Sequence, residues 1–400
     1  MIRKYLVFVS IILVGTLIFS LFSLTKAQNF KERKIIVFKD GVDEETKEVL
    51  LNQVGADKIK DLRLIKGKAV WLTKKGEAEL LKSGKVLRID PDVEVYALEN
   101  FERNFKTGNI QIKGTKPQPP ETLTWNIDRV DADLSWAIST GDSVKVGVID
   151  TGIDLKHPDL KANIKGGYNA INPLKSPNDD NGHGTHVAGI IAALDNDIGI
   201  IGVGPQIDLY AIKVLNANGS GYLSDVIEGL DWAVNNGMQV VNMSLGTSQD
   251  VPSFHEAIIN VYNAGVTIVA AAGNTGGSVV YPAAYPEVIA VSATDQNNQI
   301  ASFSSRGPEI DLSAPGVSIY STYKNQSYAT LSGTSMAAPH VTGAAALIID
   351  TKKCDLNLDN ICTPAEVKQR LEQTALDLGD SGKDNLYGSG LVNVYNALTK

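Results

Sequence analysis

Four residues of the 400-residue chain pair a reactive side chain with a backbone setting able to aim it. His183 stands between glycines in Asn181-Gly182-His183-Gly184-Thr185-His186, so the chain can bend and bring the ring to an open face. An imidazole titrates near neutrality and can take up and return a proton. Asp150 closes the apolar run Val146-Gly147-Val148-Ile149, and Thr151-Gly152 turns the chain at once. A carboxylate at the end of a buried strand is held still and partly desolvated, as the orienting partner of a histidine must be. Ser335, in Gly333-Thr334-Ser335-Met336-Ala337-Ala338-Pro339-His340, opens onto the helical run Val341 to Ile349. Its hydroxyl would meet free N–H groups and the positive end of a helix dipole. Asn274 follows the strand Val266 to Ala272 through Gly273, where its amide could donate to a developing oxyanion. Each residue also has a plainer reading: a loop histidine, a turn aspartate, a serine N-cap, a turn asparagine. His186 and His340 sit inside apolar helical stretches and read as structural.

The elements that must position these residues follow from periodicity. Val144–Ile149, Gln206–Val214, Val240–Met243, Val266–Ala272 and Val288–Ala293 read as buried strands. Helices fit Thr185–Ala193, Ser224–Asn235, Pro252–Asn263, Ser335–Thr351 and Thr363–Thr374. That alternation predicts an α/β fold, a mostly parallel central sheet with helices on both faces, over residues 121–400. In such sheets, sites form at the carboxyl ends of strands.

A smaller unit precedes it. Residues 28–98 read as strand (34–39), helix (43–54), strand (69–72), helix (76–81) and strand (86–89), a small α+β unit of the ferredoxin-like kind. Residues 99–120, with Gly108, Gly114, Pro117, Pro119 and Pro120, read as a linker or N-terminal extension. Arg3 and Lys4 precede an apolar run, and Thr25-Lys26-Ala27 offers a small-residue cleavage site, so residues 1–27 read as a signal peptide and the chain as secreted, with an uncleaved membrane anchor as the alternative because the run approaches spanning length.

Composition narrows the class. The formal charge of −8 argues against a nucleic-acid partner. Residues 28–98 hold 15 Lys and Arg against 13 Asp and Glu, whereas residues 121–400 hold 15 against 30. An acidic second part would welcome bound cations, and simple solubility is the plainer reading of the same balance. Two cysteines, Cys354 and Cys362, exclude a disulfide scaffold and a cysteine-rich metal module, and in an exported chain they suit one local bridge.

In the order Asp150, His183, Asn274, Ser335, these segments resemble the subtilisin family of serine peptidases. Asp150-Thr151-Gly152, His183-Gly184-Thr185-His186 and Gly333 to Pro339 look like its three signature segments, and Ala271-Ala272-Gly273-Asn274 like its oxyanion segment. The resemblance implies Ser335 as nucleophile, His183 as its base, Asp150 as the imidazole's orienter and Asn274 as oxyanion donor. It also implies that Ser244-Leu245-Gly246 and Gly219-Ser220-Gly221 pair with an extended protein or peptide substrate, with Leu223 in an apolar subsite and Val280 on the floor of the primary specificity pocket. Leu194-Asp195-Asn196-Asp197-Ile198-Gly199-Ile200 is similar to the family's strong calcium loop. The implied ligands for a structural Ca²⁺ are the side chains of Asp159 and Asn196 and the carbonyls of Leu194, Ile198 and Ile200, with Glu121 standing where the family often places an amide. Residues 28–98 look like the family's propeptide, an intramolecular folding aid and inhibitor. Its tail, Pro91 to Leu98, is spaced for self-cleavage after Leu98. The mature product is expected to be a monomer.

Other readings remain open at this level. Val148-Ile149-Asp150-Thr151-Gly152 also resembles the active-site segment of aspartic peptidases, with Asp380-Ser381-Gly382 as a second copy. His183 and His186 could serve a metal hydrolase, though neither has a neighbouring Glu. A binding protein on an inactive scaffold is the non-enzyme alternative. Asp355-x-Asn357-x-Asp359-Asn360 with Glu366 resembles an EF-hand loop, while Thr363-Pro364-Ala365-Glu366 is equally a capping box.

Overall fold

A computed structural model describes residues 30–98 and 118–400. The signal peptide and nearly all of the linker read from the sequence lie outside these residues. The chain divides into two bodies, residues 1–92 and 93–400.

The first body is built from β1 (Lys31–Phe38), α1 (Glu44–Gln53), β2 (Asp57–Leu62), β3 (Gly67–Thr73), α2 (Lys74–Lys82) and β4 (Val86–Pro91). Its antiparallel sheet runs in the order β2-β3-β1-β4. Alternate residues of β1 and β3 bury Ile36, Phe38, Val70 and Leu72 against Leu51 of α1 and Leu80 of α2. Asp43 and Thr73 cap the two helices, accepting from the N–H groups of Thr46 and Gly76. The sequence reading missed β2: Asp57-Lys58-Ile59-Lys60-Asp61-Leu62 is mostly charged and forms an exposed edge. The buried Lys68 ammonium bonds Glu44, Glu48 and Asp61 at 2.8, 2.9 and 2.5 Å.

The second body opens with β5 (Glu94–Ala97) and continues with β6 (Lys145–Asp150), β7 (Ile164–Asn169), α3 (His183–Ala192), β8 (Asp208–Lys213), β9 (Ser220–Tyr222) and α4 (Leu223–Asn235). Then come β10 (Val240–Met243), β11 (Leu245–Gly246), α5 (Pro252–Asn263), β12 (Thr267–Ala271), β13 (Val288–Thr294) and β14 (Leu312–Pro315). The hairpin β15 (Ile319–Tyr323) and β16 (Ser327–Leu331), then α6 (Thr334–Asp350) and α7 (Pro364–Thr374), complete the main elements.

Seven of the strands form one sheet, β14-β13-β12-β10-β6-β8-β7, in which every pairing is parallel. Val146, Val148, Val269, Ala271 and Val291 turn toward α3 and α6 and share their apolar core. On the alternate face, Gly147 leaves room for Ile212 and Val241, and Gly229 of α4 packs against Val214 and Ile212. The α/β architecture expected from the sequence is therefore present, with helices on both faces. An all-β aspartic-peptidase frame is excluded, and Asp380 lies exposed in a turn.

Three short strands stand apart from the large sheet. β5 lies between β11 and β9, antiparallel to both. Residues 93–98 thus belong to the second body, although the sequence reading grouped them with the first. Cys354 and Cys362 form a disulfide. Glu366 closes a capping box, accepting from Thr363 N–H at 3.0 Å and from its hydroxyl at 2.7 Å. The EF-hand reading of this loop thereby loses its last carboxylate to helix capping.

Candidate active site

The candidate residues converge at the carboxyl end of the parallel sheet. Asp150 ends β6, Ser244 directly follows β10, and Gly273-Asn274 lie just beyond β12. Two helices bring the remaining members: His183 is the first residue of α3 and Ser335 the second of α6. All but Asn274 are fully buried, Asn274 partly so.

Asp150 and His183 meet directly. The ring Nδ1 lies 2.8 and 2.9 Å from the two carboxylate oxygens. Asp150 Oδ1 also accepts the Thr151 N–H at 2.6 Å, which fixes the carboxylate's rotation. Nδ1 is then the protonated nitrogen, leaving Nε2 with its lone pair free to accept a proton. His186, one turn on, does different work. Its Nε2 donates to the carbonyls of Ile319 and Ala329, tying α3 to the β15–β16 hairpin. Burial, with His183 nearby, pushes its pKa down to about 3. His340 is likewise buried neutral, held by Met336 O and Asn126, with burial pushing its pKa down to about 4. Both rings are held by the protein itself, His186 by two carbonyls and His340 by a carbonyl and an amide.

Ser335 is positioned by an irregularity in its own helix. Pro339 lacks the N–H that would bond the Ser335 carbonyl. That carbonyl accepts instead from the Ser244 hydroxyl at 2.9 Å, and Asn242 Nδ2 donates to the same hydroxyl at 2.9 Å. The start of α6 is thus pinned to the end of β10. Asn274 is oriented from α6 as well. Its Oδ1 accepts from both the N–H and the hydroxyl of Thr334, each at 2.9 Å, so Nδ2 must point the other way.

Both groups point at one atom, the carbonyl oxygen of Leu98. Ser335 Oγ donates to it at 2.7 Å and Asn274 Nδ2 at 2.5 Å. The chain leading to Leu98 is β5. Leu98 N–H donates to Ser244 O at 3.2 Å and Ala97 N–H to Gly219 O at 2.9 Å. Leu245 pairs with Ala97, Gly246 with Tyr96 and Gly221 with Val95. Ser244, Leu245, Gly246, Gly219 and Gly221 therefore form two backbone rails around an extended segment of the chain itself. Leu223 is buried at the head of α4, its N–H donating to Val93 O. A β-carbon on Gly246 would stand 2.7 Å from Val280 Cγ2 and 3.4 Å from Leu98 Cδ1. Val280 and the Leu98 side chain thus both border the space over Gly246.

The implied calcium residues also converge. Residues 119–122 pair with 197–200 through Gly199 N–H to Pro119 O, Glu121 N–H to Asp197 O and Thr122 N–H to Gly199 O. Glu121 Oε1 accepts from Asn196 N–H at 2.6 Å. Asp159 accepts from Ile200 N–H, Asn196 Nδ2 and Tyr328 OH at 3.0–3.1 Å, all neutral donors. Burial, with a small repulsive addition from Glu121, pushes its carboxyl up to about 6. Two carboxylates gathered against their own repulsion fit a hard divalent cation, whereas the Asn196 amide turns its NH₂ to Asp159 and its oxygen to the Ile198 N–H. Leu194 N–H donates to Asp159 O, which seats the loop over the carboxylate.

Sequence reasoning missed the Ser244 hydroxyl and Thr334. Each acts through a partner distant in sequence, Ser335 and Asn274, so no local spacing announced it.

Comparison with known proteins adds independent findings. The model of the subtilase family matches residues 141–390. The chain is 38% identical over 384 residues to the minor extracellular protease Epr of Bacillus subtilis, covering 94% of this chain and 56% of that protein. It is 50% identical over 275 residues to subtilisin Savinase of Lederbergia lenta, covering 68% of this chain and 97% of that one. Against the thermostable alkaline protease of Halalkalibacterium halodurans, identity is 46% over 319 residues, covering 79% and 81%.

Proposed function

The chain belongs to the subtilase family of serine endopeptidases, and from that premise we propose that it is a secreted enzyme made as a self-processing precursor. Ser335 Oγ attacks the substrate carbonyl carbon while His183 Nε2 takes its proton. Asp150 holds the imidazole by Nδ1 and stabilises its cation. The carbonyl oxygen becomes an oxyanion under Asn274 Nδ2 and the Ser335 N–H. His183 then returns the proton to the leaving amine, and water resolves the acyl-enzyme by the same steps in reverse order of roles.

One observation carries this reading: the Leu98 carbonyl is held at once by the Ser335 hydroxyl and the Asn274 amide. It supports Leu98-Glu99 as the first bond cut. Residues 28–98 are then the propeptide and 121–400 the peptidase domain, with 99–120 left as an extension. After the cut, β5 retains its backbone pairing and competes with substrate until it is removed. The mature enzyme is a monomer acting on proteins and peptides. Residues 1–27 direct export, in keeping with the extracellular protease Epr.

Calcium serves stability in this proposal. Asp159, Asn196 and Glu121 would hold it by side chains, and Leu194, Ile198 and Ile200 by carbonyls. The ion would offset the repulsion of the carboxylates and brace the loop that follows α3, the helix carrying His183.

The test is expression of wild type beside Ser335→Ala, with intact-mass measurement of the purified products. Wild type should yield a fragment ending at Leu98; Ser335→Ala should remain uncut. Maturation of purified Ser335→Ala with no other protease present would overturn self-processing. A wild-type fragment ending elsewhere would overturn Leu98 as the site.

A further inference from the structure

Asp179 takes no part in the bond-making just described. It lies in the loop before α3 and is 4% exposed. Its oxygens accept five hydrogen bonds. Oδ1 receives the Thr151 hydroxyl, Asn181 N–H and Gly182 N–H, each at 2.9 Å. Oδ2 receives Thr185 N–H at 3.0 Å and the Thr185 hydroxyl at 2.6 Å.

The origin of those donors is what matters. Thr151 is the residue after Asp150; Asn181, Gly182 and Thr185 bracket His183. Thr151 closes the link in both directions. Its hydroxyl donates to Asp179 and accepts Gly184 N–H at 2.9 Å. Its N–H holds Asp150 Oδ1, and its carbonyl accepts from Lys213 Nζ at 2.6 Å. An ordinary helix cap would need only the α3 amides. This carboxylate reaches from the start of α3 across to the end of β6.

We infer that Asp179, acting through Thr151, is a positioning residue that sets the Asp150–His183 geometry. The inference rests on the triad reading. Burial pushes the Asp179 carboxyl up, while its amide and hydroxyl donors and the dipole of α3 favour the anion. The anion accepts at all five contacts, which an uncharged amide cannot do, since its NH₂ would face donors.

The test uses the mature enzyme, with active sites counted by a fluorophosphonate that labels the reactive serine. Asp179→Asn and Thr151→Val should lower kcat per labelled site about 10- to 100-fold, the scale expected when a catalytic pair is displaced by a fraction of an ångström to one ångström, with KM nearly unchanged. Thr151→Ser keeps the hydroxyl and should restore kcat. In uncut Ser335→Ala protein, the low-field proton resonance of His183 Nδ1 should shift when Asp179→Asn is added. Unchanged kcat per site with only a lower thermal midpoint, or an unshifted resonance, would overturn the inference. If Asp179→Asn does not fold, the Val and Ser replacements of Thr151 decide it: equal kcat in the two overturns it. His183→Ala, run in parallel, separates the layers, because activity surviving there would remove the triad reading itself.

Discussion

Gly333 leaves room for the carbonyl of Leu98: a β-carbon on Gly333 would stand 2.8 Å from that oxygen and 3.1 Å from Asn274 Nδ2. The residue before Thr334 therefore bounds the space in which an oxyanion would form. Both Thr334 bonds to Asn274 depend on the same turn.

Gly333→Ala should accordingly act like loss of the oxyanion donor while leaving Ser335 and His183 in place. The expected fall in kcat is about 10²–10³-fold, the size measured for one such donor in subtilisin itself. Asn274→Ala should give a similar loss, and the double variant little more, since both remove one function. Steady-state kinetics on a peptide substrate checks this. Full additivity of the two losses would show that Gly333 acts elsewhere.

The primary pocket should prefer medium-sized aliphatic residues. Val280 methyls reach within 2.7 Å of where a Gly246 β-carbon would be and 3.1 Å of the Gly273 equivalent, so they fill space beside the Leu98 side chain. A misfit of that size costs about 1–3 kcal/mol, or roughly 10- to 200-fold in kcat/KM. Peptides differing only in Leu, Met, Phe or Tyr before the cut should rank Leu and Met first. Val280→Gly should move Phe and Tyr upward. An unchanged ranking in that variant would show that Val280 does not shape the pocket.

What was legible in the sequence, and what was not, follows from the range of each signal. Asp150, His183, Asn274 and Ser335 sit in short runs where glycine and an adjoining apolar strand or helix mark the spot. The five main strands of the large sheet were visible because parallel strands are buried on both faces and read as apolar runs. β7 and β14 were missed: the first is Ile164-Lys165-Gly166-Gly167-Tyr168-Asn169, the second only four residues long, and both are sheet edges. The β15–β16 hairpin was missed too, because Ser321, Thr322, Ser327 and Thr330 break any apolar alternation. Asp179 looked like one more acid in the polar run Asn178-Asp179-Asp180-Asn181. Nothing local distinguishes a carboxylate with five buried donors from one in water.

Lys68 should matter to the first body in a way set by its charge. Burial alone would push its pKa down, yet the bonds from Asp61, Glu44 and Glu48 hold it well above the ordinary lysine range. Glu44 is held low by Lys47 and Lys68, and Glu48 by Lys58 and Lys68. For Asp61 burial opposes the shift, but Lys68 and Lys58 still bring it down. Depressed carboxylates stabilise above their unfolded pKa, about 4, and that contribution fades as pH falls through the folded values. Lys68→Met should lower local stability by about 1–3 kcal/mol at neutral pH. The difference from wild type should shrink under acid. Hydrogen-exchange protection of the β3 amides in uncut Ser335→Ala protein reads it directly; a difference that grows toward low pH would contradict the assignment.

Asp159 carries the opposite sign, and this separates a metal site from a merely acidic turn. Its folded pKa of about 6 lies above the unfolded value. Between roughly pH 4 and 6 the native chain therefore binds a proton that the unfolded chain does not. Without metal, this group's effect is to make stability fall as pH rises through that window, and the whole cost is present above it. In chelator, wild type should gain on Asp159→Asn as pH is lowered from 6 to 4. With calcium the trend should reverse, because the ion needs the carboxylate ionised and protons compete with it. At neutral pH, calcium at a hundredfold excess over its dissociation constant should add about 2.7 kcal/mol to wild type. Asp159→Asn should gain much less. Thermal midpoints of both proteins, in chelator and in calcium across this pH range, give the four curves required. A wild-type midpoint indifferent to thorough metal removal at neutral pH would remove calcium from the account and leave Asp159 as a carboxylate buried at a cost.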